Sequence, residues 1–228
     1  MRIAEIFRSI QGEGFLTGTQ SVFVRASGCN LRCWFCDTPY ASWHPEGTDL
    51  SVEEVIARAT EYDTSHVVLT GGEPMLFAEL IPVASQLRQL GRHVTIETAG
   101  TLYLPVECDL MSISPKLSNS TPPPEKNARW SHRHEKSRHA PGVIRRLIAE
   151  YSYQFKFVVD RPPDCDEIER YLGELPEIDR GRVLLMPQGA HPAELDDRAR
   201  WLAPYCDRNQ LHFCPRRQIE WFGLVRGT

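Results

Sequence analysis

Short apolar runs that read as strands alternate with amphipathic helical stretches along nearly the whole 228-residue chain. The strand candidates are residues 3–8, 21–26, 66–70, 93–97, 110–114, 155–159 and 183–186, with 211–214 as a last short one. Helix candidates lie between them. Ser51 and Glu54 form a capping box that starts a helix running to about residue 62. Others span 79–90, stopped by Gly91, then 142–149, 164–172 and 193–205. Strands alternating with helices argue for a mostly parallel sheet. Six or seven β/α units are too few for a closed eight-unit barrel, so an open, partial barrel is expected over one domain, residues 1–228. In such folds ligands gather at the carboxyl ends of the strands. The unusual motifs all fall there: a cysteine loop after 21–26, Gly71-Gly72-Glu73-Pro74 after 66–70, Glu97-Thr98-Ala99-Gly100-Thr101, and Ser114-Pro115-Lys116.

The cysteine loop reads Cys29-Asn30-Leu31-Arg32-Cys33-Trp34-Phe35-Cys36-Asp37-Thr38, a C-x3-C-x2-C triplet. Cubane iron–sulfur clusters take thiolate ligands, and three thiolates leave one iron free. A structural zinc site wants a fourth Cys or His. The nearest downstream histidine is His44, and no second C-x2-C pair exists. Cys108, Cys165, Cys206 and Cys214 lack ligand spacing and read as ordinary buried thiols. Seven cysteines, an odd count with three clustered, argue for a reducing compartment, the cytoplasm. No apolar run is long enough to span a membrane. A formal net charge of -4 argues against a general coat for nucleic acid.

The triplet resembles that of the radical S-adenosylmethionine enzymes. That resemblance implies a 4Fe–4S cluster on Cys29, Cys33 and Cys36. Its open iron would chelate the amino and carboxylate groups of S-adenosylmethionine, and an electron would release a 5′-deoxyadenosyl radical. Gly71-Gly72-Glu73-Pro74 resembles the glycine motif whose backbone binds the methionyl amino group in those enzymes. Taken with Ile10-Gln11-Gly12-Glu13-Gly14, Cys36-Asp37-Thr38, Glu97–Thr101 and Ser114-Pro115-Lys116, the chain resembles the 7-carboxy-7-deazaguanine synthases. The likeness is close over residues 3–116 and looser through 154–159 and 186–189 to the end.

That resemblance implies a partial (β/α)6-type TIM-like barrel with an extra loop at 117–141. It implies a radical ring contraction of 6-carboxy-5,6,7,8-tetrahydropterin with loss of ammonia, a step of queuosine precursor synthesis. Ile10, Gln11, Gly12, Glu13, Arg25, Thr70 and Gln218 are the expected substrate residues. A carboxylate such as Glu13 can accept the paired donors of a pterin edge, and the Arg25 guanidinium suits the substrate carboxylate. Phe35, Cys36, Asp37, Gly72, Ser114, Pro115, Lys116 and Gln188 are expected around S-adenosylmethionine. Thr38, a hard oxygen ligand, is the magnesium candidate. The family also implies a homodimer and an external electron donor of flavodoxin or ferredoxin type.

Two departures stand out. Family members often carry Pro-Arg-Leu-His near the C-terminus, with the histidine at the pterin. Here the run is Pro215-Arg216-Arg217-Gln218, and either Gln218 in a purely polar role or nearby His212 takes that place. Pro122-Pro123-Pro124 is expected to join neither helix nor sheet, and the basic stretch 126–146 after it reads first as a solvated loop, with a lid or a partner or nucleic-acid patch as alternatives. Two other functions stay open on the sequence: an activase that makes a glycyl radical on a protein partner, and a non-enzymatic zinc module.

Overall fold

A computed structural model describes residues 1–228. The chain begins with an antiparallel hairpin, β1 (Arg2–Ile10) and β2 (Gln20–Ala26). After the cysteine loop come a short helix α1 (Pro39–Ser42), a two-residue edge strand β3 (Thr48–Asp49) and helix α2 (Val52–Thr60). Then follow β4 (His66–Gly71), α3 (Leu80–Gln89), β5 (His93–Thr98) and β6 (Leu110–Ile113). The second half holds α4 (Pro124–Arg138), α5 (Pro141–Glu150), β7 (Tyr153–Val159), α6 (Pro162–Glu174), β8 (Val183–Pro187), α7 (Pro192–Arg208), β9 (His212–Phe213) and α8 (Arg217–Phe222).

One sheet runs β3-β1-β2-β4-β5-β6-β7-β8-β9. The pairs from β2 through β9 are parallel, and β3 and β1 add an antiparallel margin. The two edges do not meet, so the sheet is an open partial barrel. One link departs from strict alternation: β5 reaches β6 through residues 99–109 without a helix.

Strand side chains alternate between faces. Val22, Val24, Val67, Leu69, Val94, Ile96, Met111, Ile113, Phe155, Phe157, Val159, Val183 and Leu185 form the apolar face. It packs on Val55 of α2, Val83 and Leu87 of α3, Ile144 and Leu147 of α5, Ile168 of α6 and Leu202 of α7. The opposite face carries Phe7, Phe23, Arg25, Thr70, Glu97, Lys156 and Met186, and it lines a cavity. The Ser51 cap forms as expected: its hydroxyl accepts from Glu54 N while Glu54 accepts from Ser51 N at 2.8 Å.

The stretch after Lys116 is where expectation and structure part. Residues 124–138 are helix α4, not a solvated loop. A proline run stops a helix only in its interior. At the first helical position the missing N–H is not needed, so Pro124 begins one. The helix bends at Asn127, whose backbone is non-helical and whose Oδ1 accepts from Trp130 N at 3.1 Å, so Asn127 caps the segment that follows.

Candidate active site

A cavity of about 350 Å³ opens at the carboxyl ends of the strands. Its wall includes Cys29, Cys33, Cys36, Gly72, Ser114 and Lys116 on one side and Gln11, Glu13, Glu97 and Lys156 on the other. Of the residues expected from the sequence, Ile10, Gln11, Gly12, Glu13, Arg25, Phe35, Asp37, Thr38, Thr70 and Gln218 also line it. Pro115 and Gln188 do not. Pro115 is buried beside the wall. Gln188 follows the end of β8, where its backbone N–H bonds Val159 O and the chain turns away through Gly189. Met186, on the last cavity-facing register of β8, lines the wall instead.

The cysteine loop is held from every side. Gly28 N donates to Ala41 O at 2.8 Å, and Glu73 N donates back to Gly28 O at 2.8 Å. A side chain on Gly72 would overlap the carbonyl oxygens of Gly28 and Ala41, so only glycine lets the two loops close together. Asn30 Nδ2 donates to Thr101 Oγ1, and Trp43 Nε1 to Cys33 O. Glu73 is fully buried and makes no salt bridge, with Lys116 the cation that acts on it. Burial raises its carboxyl, opposed by N–H donation from Ala99 and Met75 and by the Thr98 hydroxyl.

Helix α4 supplies a clamp that the sequence did not reveal. Arg32 N donates to His134 Nδ1 at 3.1 Å, which leaves the ring proton on Nε2 facing Ser120 Oγ at 2.9 Å. Ser120 in turn donates to Leu117 O. Burial pushes His134 down to about 4 from its usual 6.5. A histidine that stays neutral when folded is stabilising above pH 6.5 and loses that stability as pH falls toward 4. The melting temperature is therefore expected to fall over that window, and His134→Gln to flatten the fall. An unchanged slope in thermal melts of the variant would refute this.

Three carboxylates and two buried cations form the far wall. Lys156 Nζ bridges Glu13 Oε2 and Glu97 Oε1, each at 3.0 Å. Thr70 Oγ1 donates to Glu97 Oε2 at 2.9 Å, and Gln218 Nε2 donates to Glu13 Oε1 at 2.6 Å. Arg216 reaches Glu13, Asp37 and the Gly189 carbonyl. Lys156 and Arg216 are only 3% and 5% exposed, so both charges depend on these partners. Burial works against the Glu13 charge, but Lys156 and Arg216 outweigh it and hold the carboxyl at about 2. Burial likewise opposes charge on Lys156, and Glu97 and Glu13 raise it above its ordinary value.

Lys156, Arg216, Glu97 and His134 were not among the expected site residues. A lysine centred in the apolar run Phe155-Lys156-Phe157 was the available signal, because a charge there needs a buried partner. At the other rim Arg25 Nε donates to Glu5 at 2.6 Å. Residues 223–228 lie across this rim, where Arg226 bonds Glu46 and Ala4 O and stacks over Tyr40.

The donor set fits a cluster better than a single ion. Cys29, Cys33 and Cys36 share the cavity wall, and no histidine lines it to complete a zinc tetrahedron. Three thiolates suit a cubane, on which they leave one iron free. Burial raises Cys29 to about 12 and Cys33 to about 11, so metal loading must displace their protons.

The radical SAM superfamily sequence profile matches residues 23–115, which span the cysteine loop, the glycine turn and the Glu97 strand. A 7-carboxy-7-deazaguanine synthase of Rhodopirellula baltica is 48% identical over 227 residues, covering 99% of this chain and 88% of the relative. The chain belongs to the 7-carboxy-7-deazaguanine synthase family. A synthase of Halobacterium salinarum is 43% identical, covering 95% of this chain and 88% of the relative. The crystal structure of QueE from Escherichia coli superposes with a TM-score of 0.70 at 25% identity, covering 95% of this chain and 93% of that one. The partial-barrel reading and the family resemblance are both upheld. No helix is long and apolar enough to cross a membrane.

Proposed function

We propose that this chain is a radical S-adenosylmethionine lyase that converts 6-carboxy-5,6,7,8-tetrahydropterin to 7-carboxy-7-deazaguanine and ammonia, a step of queuosine biosynthesis. The observation that carries this reading is one cavity with a three-thiol wall facing a wall of ordered carboxylates. Cys29, Cys33 and Cys36 would hold the 4Fe–4S cluster. When bound, the cluster and S-adenosylmethionine supply a carbon-centred radical.

The chain's own residues bind and orient. Glu13, Glu97 and Asp37 outnumber Lys156 and Arg216, so the far wall keeps a net negative charge. That charge suits the amino and ring N–H donors of a pterin. Thr70 and Lys156 hold the Glu97 carboxylate in one orientation. Arg25 faces the cavity from β2 with only its Nε engaged, leaving the outer guanidinium nitrogens for a carboxylate. Lys116, which donates to Ser114 O and Oγ, offers a cation beside the thiols for the carboxylate of S-adenosylmethionine. Gln218 carries no titratable proton and acts by hydrogen bonding alone. His212 bonds the Gly181 carbonyl and does not line the cavity.

Magnesium at Thr38 is a proposal of the same kind. Thr38 lines the cavity, with its hydroxyl 3.9 Å from Cys36 Sγ. The seven free thiols support a reducing cytoplasm. The rim is covered by residues 223–228, which suits a small substrate better than the protein loop an activase must admit.

The test is an anaerobic assay with the pterin acid, S-adenosylmethionine and dithionite, with one arm lacking magnesium. Ammonia and 7-carboxy-7-deazaguanine are expected in equal amounts, with a slower rate in the magnesium-free arm. Iron-loaded protein that binds the cofactor and yields neither product would overturn the reading.

A further inference from the structure

The proposed reaction makes no use of the outer face of α4. Residues 124–138 carry five cations, Lys126, Arg129, Arg133, Lys136 and Arg138, against Glu125 and Glu135, in a chain whose net charge is -4. Arg138 is taken up by Glu135 and Glu167. Lys126, Arg129 and Lys136 are exposed and make no hydrogen bond or ion pair, and Arg133 only lies over the Trp130 ring at 4.9 Å. Arg129, Arg133 and Lys136 recur at positions i, i+4 and i+7, so they share one helix face. Like charges gathered there repel one another. None of these charges is neutralised within the fold.

The inner face of the same helix grips the cysteine loop. His134 accepts from Arg32 N, and the Arg32 guanidinium stacks over Trp130 at 4.1 Å. The loop presents two aromatic rings in contact with each other. Phe35 lines the inner cavity, while Trp34, between Cys33 and Cys36, is 51% exposed on the outside. The two rings meet edge to face at 5.3 Å. Trp34, Trp43, Pro122, Pro123 and Lys126 line a second hollow of about 270 Å³ on that outer side. A protein seated there meets Trp34, which lies in the thiol loop itself between Cys33 and Cys36.

We propose that Trp34 and Lys126, together with the Arg129, Arg133 and Lys136 face of α4, form the docking site for a small acidic one-electron carrier protein. The proposal rests on the reading of Cys29, Cys33 and Cys36 as cluster ligands. The transfer balances simply: the reduced carrier loses one electron, the cluster on the three thiolates gains it, and no bond is made or broken. Opposite charge on the carrier steers the encounter and makes it dependent on ionic strength.

The test uses cluster-loaded protein, a recombinant flavodoxin as the acidic carrier, and the variant K126E/R129E/K136E. Calorimetric titration at low salt is expected to show at least about tenfold weaker flavodoxin binding by the variant. Reduction of the cluster by reduced flavodoxin, read by electron paramagnetic resonance, is expected to slow by at least about as much. Reduction by dithionite and dithionite-driven ammonia release should stay within about twofold, since none of the three residues touches the cavity. Equal flavodoxin affinity in variant and native protein overturns the proposal. So does a loss confined to binding of transfer RNA in a parallel titration, which would make the face a nucleic-acid contact. Absence of ammonia from dithionite-reduced native protein, with flavodoxin binding still lost in the variant, would sink the proposed reaction and leave the docking site standing.

Discussion

Lys156→Met lowers kcat/KM by at least about a hundredfold and the melting temperature by roughly 6–20 °C. Lys156 is the cation that bridges Glu13 and Glu97, and all of its partners lie inside the cavity wall. Methionine keeps most of the volume and removes the charge, so the loss is electrostatic. Breaking a buried ion pair by deleting one partner costs about 3–5 kcal/mol, because the other charge is left uncompensated. For a chain of this size each kcal/mol moves the midpoint by roughly 2–4 °C. Glu13 keeps Arg216 and Gln218, while Glu97 is left with only the Thr70 hydroxyl and the Gln11 amide. A Glu97 carboxylate without its cation is no longer held in one orientation toward the substrate, so the effect should fall on KM and kcat together. Steady-state kinetics beside thermal melts provide the check. Native-like kcat/KM in the methionine variant would show that the bridge is structural ornament.

The same network sets an acid limit. Glu13 ordinarily titrates near 4.5 and is held at about 2 in the fold. A depressed carboxyl contributes stability above 4.5 that drains away as pH falls toward 2. This window lies below that of His134, so the two can be resolved in one pH series of melts.

Alanine at Cys29, Cys33 or Cys36 takes ammonia release below detection and lowers bound iron and sulfide. The reason is geometric as well as chemical. The three thiols come from one loop whose backbone is pinned by Ala41 and His134 and whose Asn30 side chain is tied to Thr101. Cys108, half-buried and away from the cavity, is the contrast: Cys108→Ser should leave iron content unchanged. Iron and sulfide analysis of anaerobically purified variants decides the matter. Turnover by any one of the three alanine variants would remove the basis for the mechanism.

Much of this was legible before any coordinates. The strand and helix order, the Ser51–Glu54 cap, the cysteine triplet and the glycine turn are local patterns, and local patterns report the backbone directly. The miss at α4 was also local: three prolines suggested a break, and the third is a helix start. The misses at Lys156, Arg216 and His134 have another cause. Their partners lie 143, 203 and 102 residues away in the chain, and no spacing rule spans such distances.

By itself, the order of residues determined that there would be a parallel sheet with helices on one side and that its motif-bearing loops would share one rim. Period and turn chemistry are enough for that, since each strand must bury one face and each loop must leave at a carboxyl end. Only the tertiary structure decided which charges meet on the other face. Closing the barrel partway brings β5, β7 and the turn after β1 within 3.0 Å contacts, and the cost of leaving Glu13, Glu97 or Lys156 unpaired in that low-dielectric space makes them one unit.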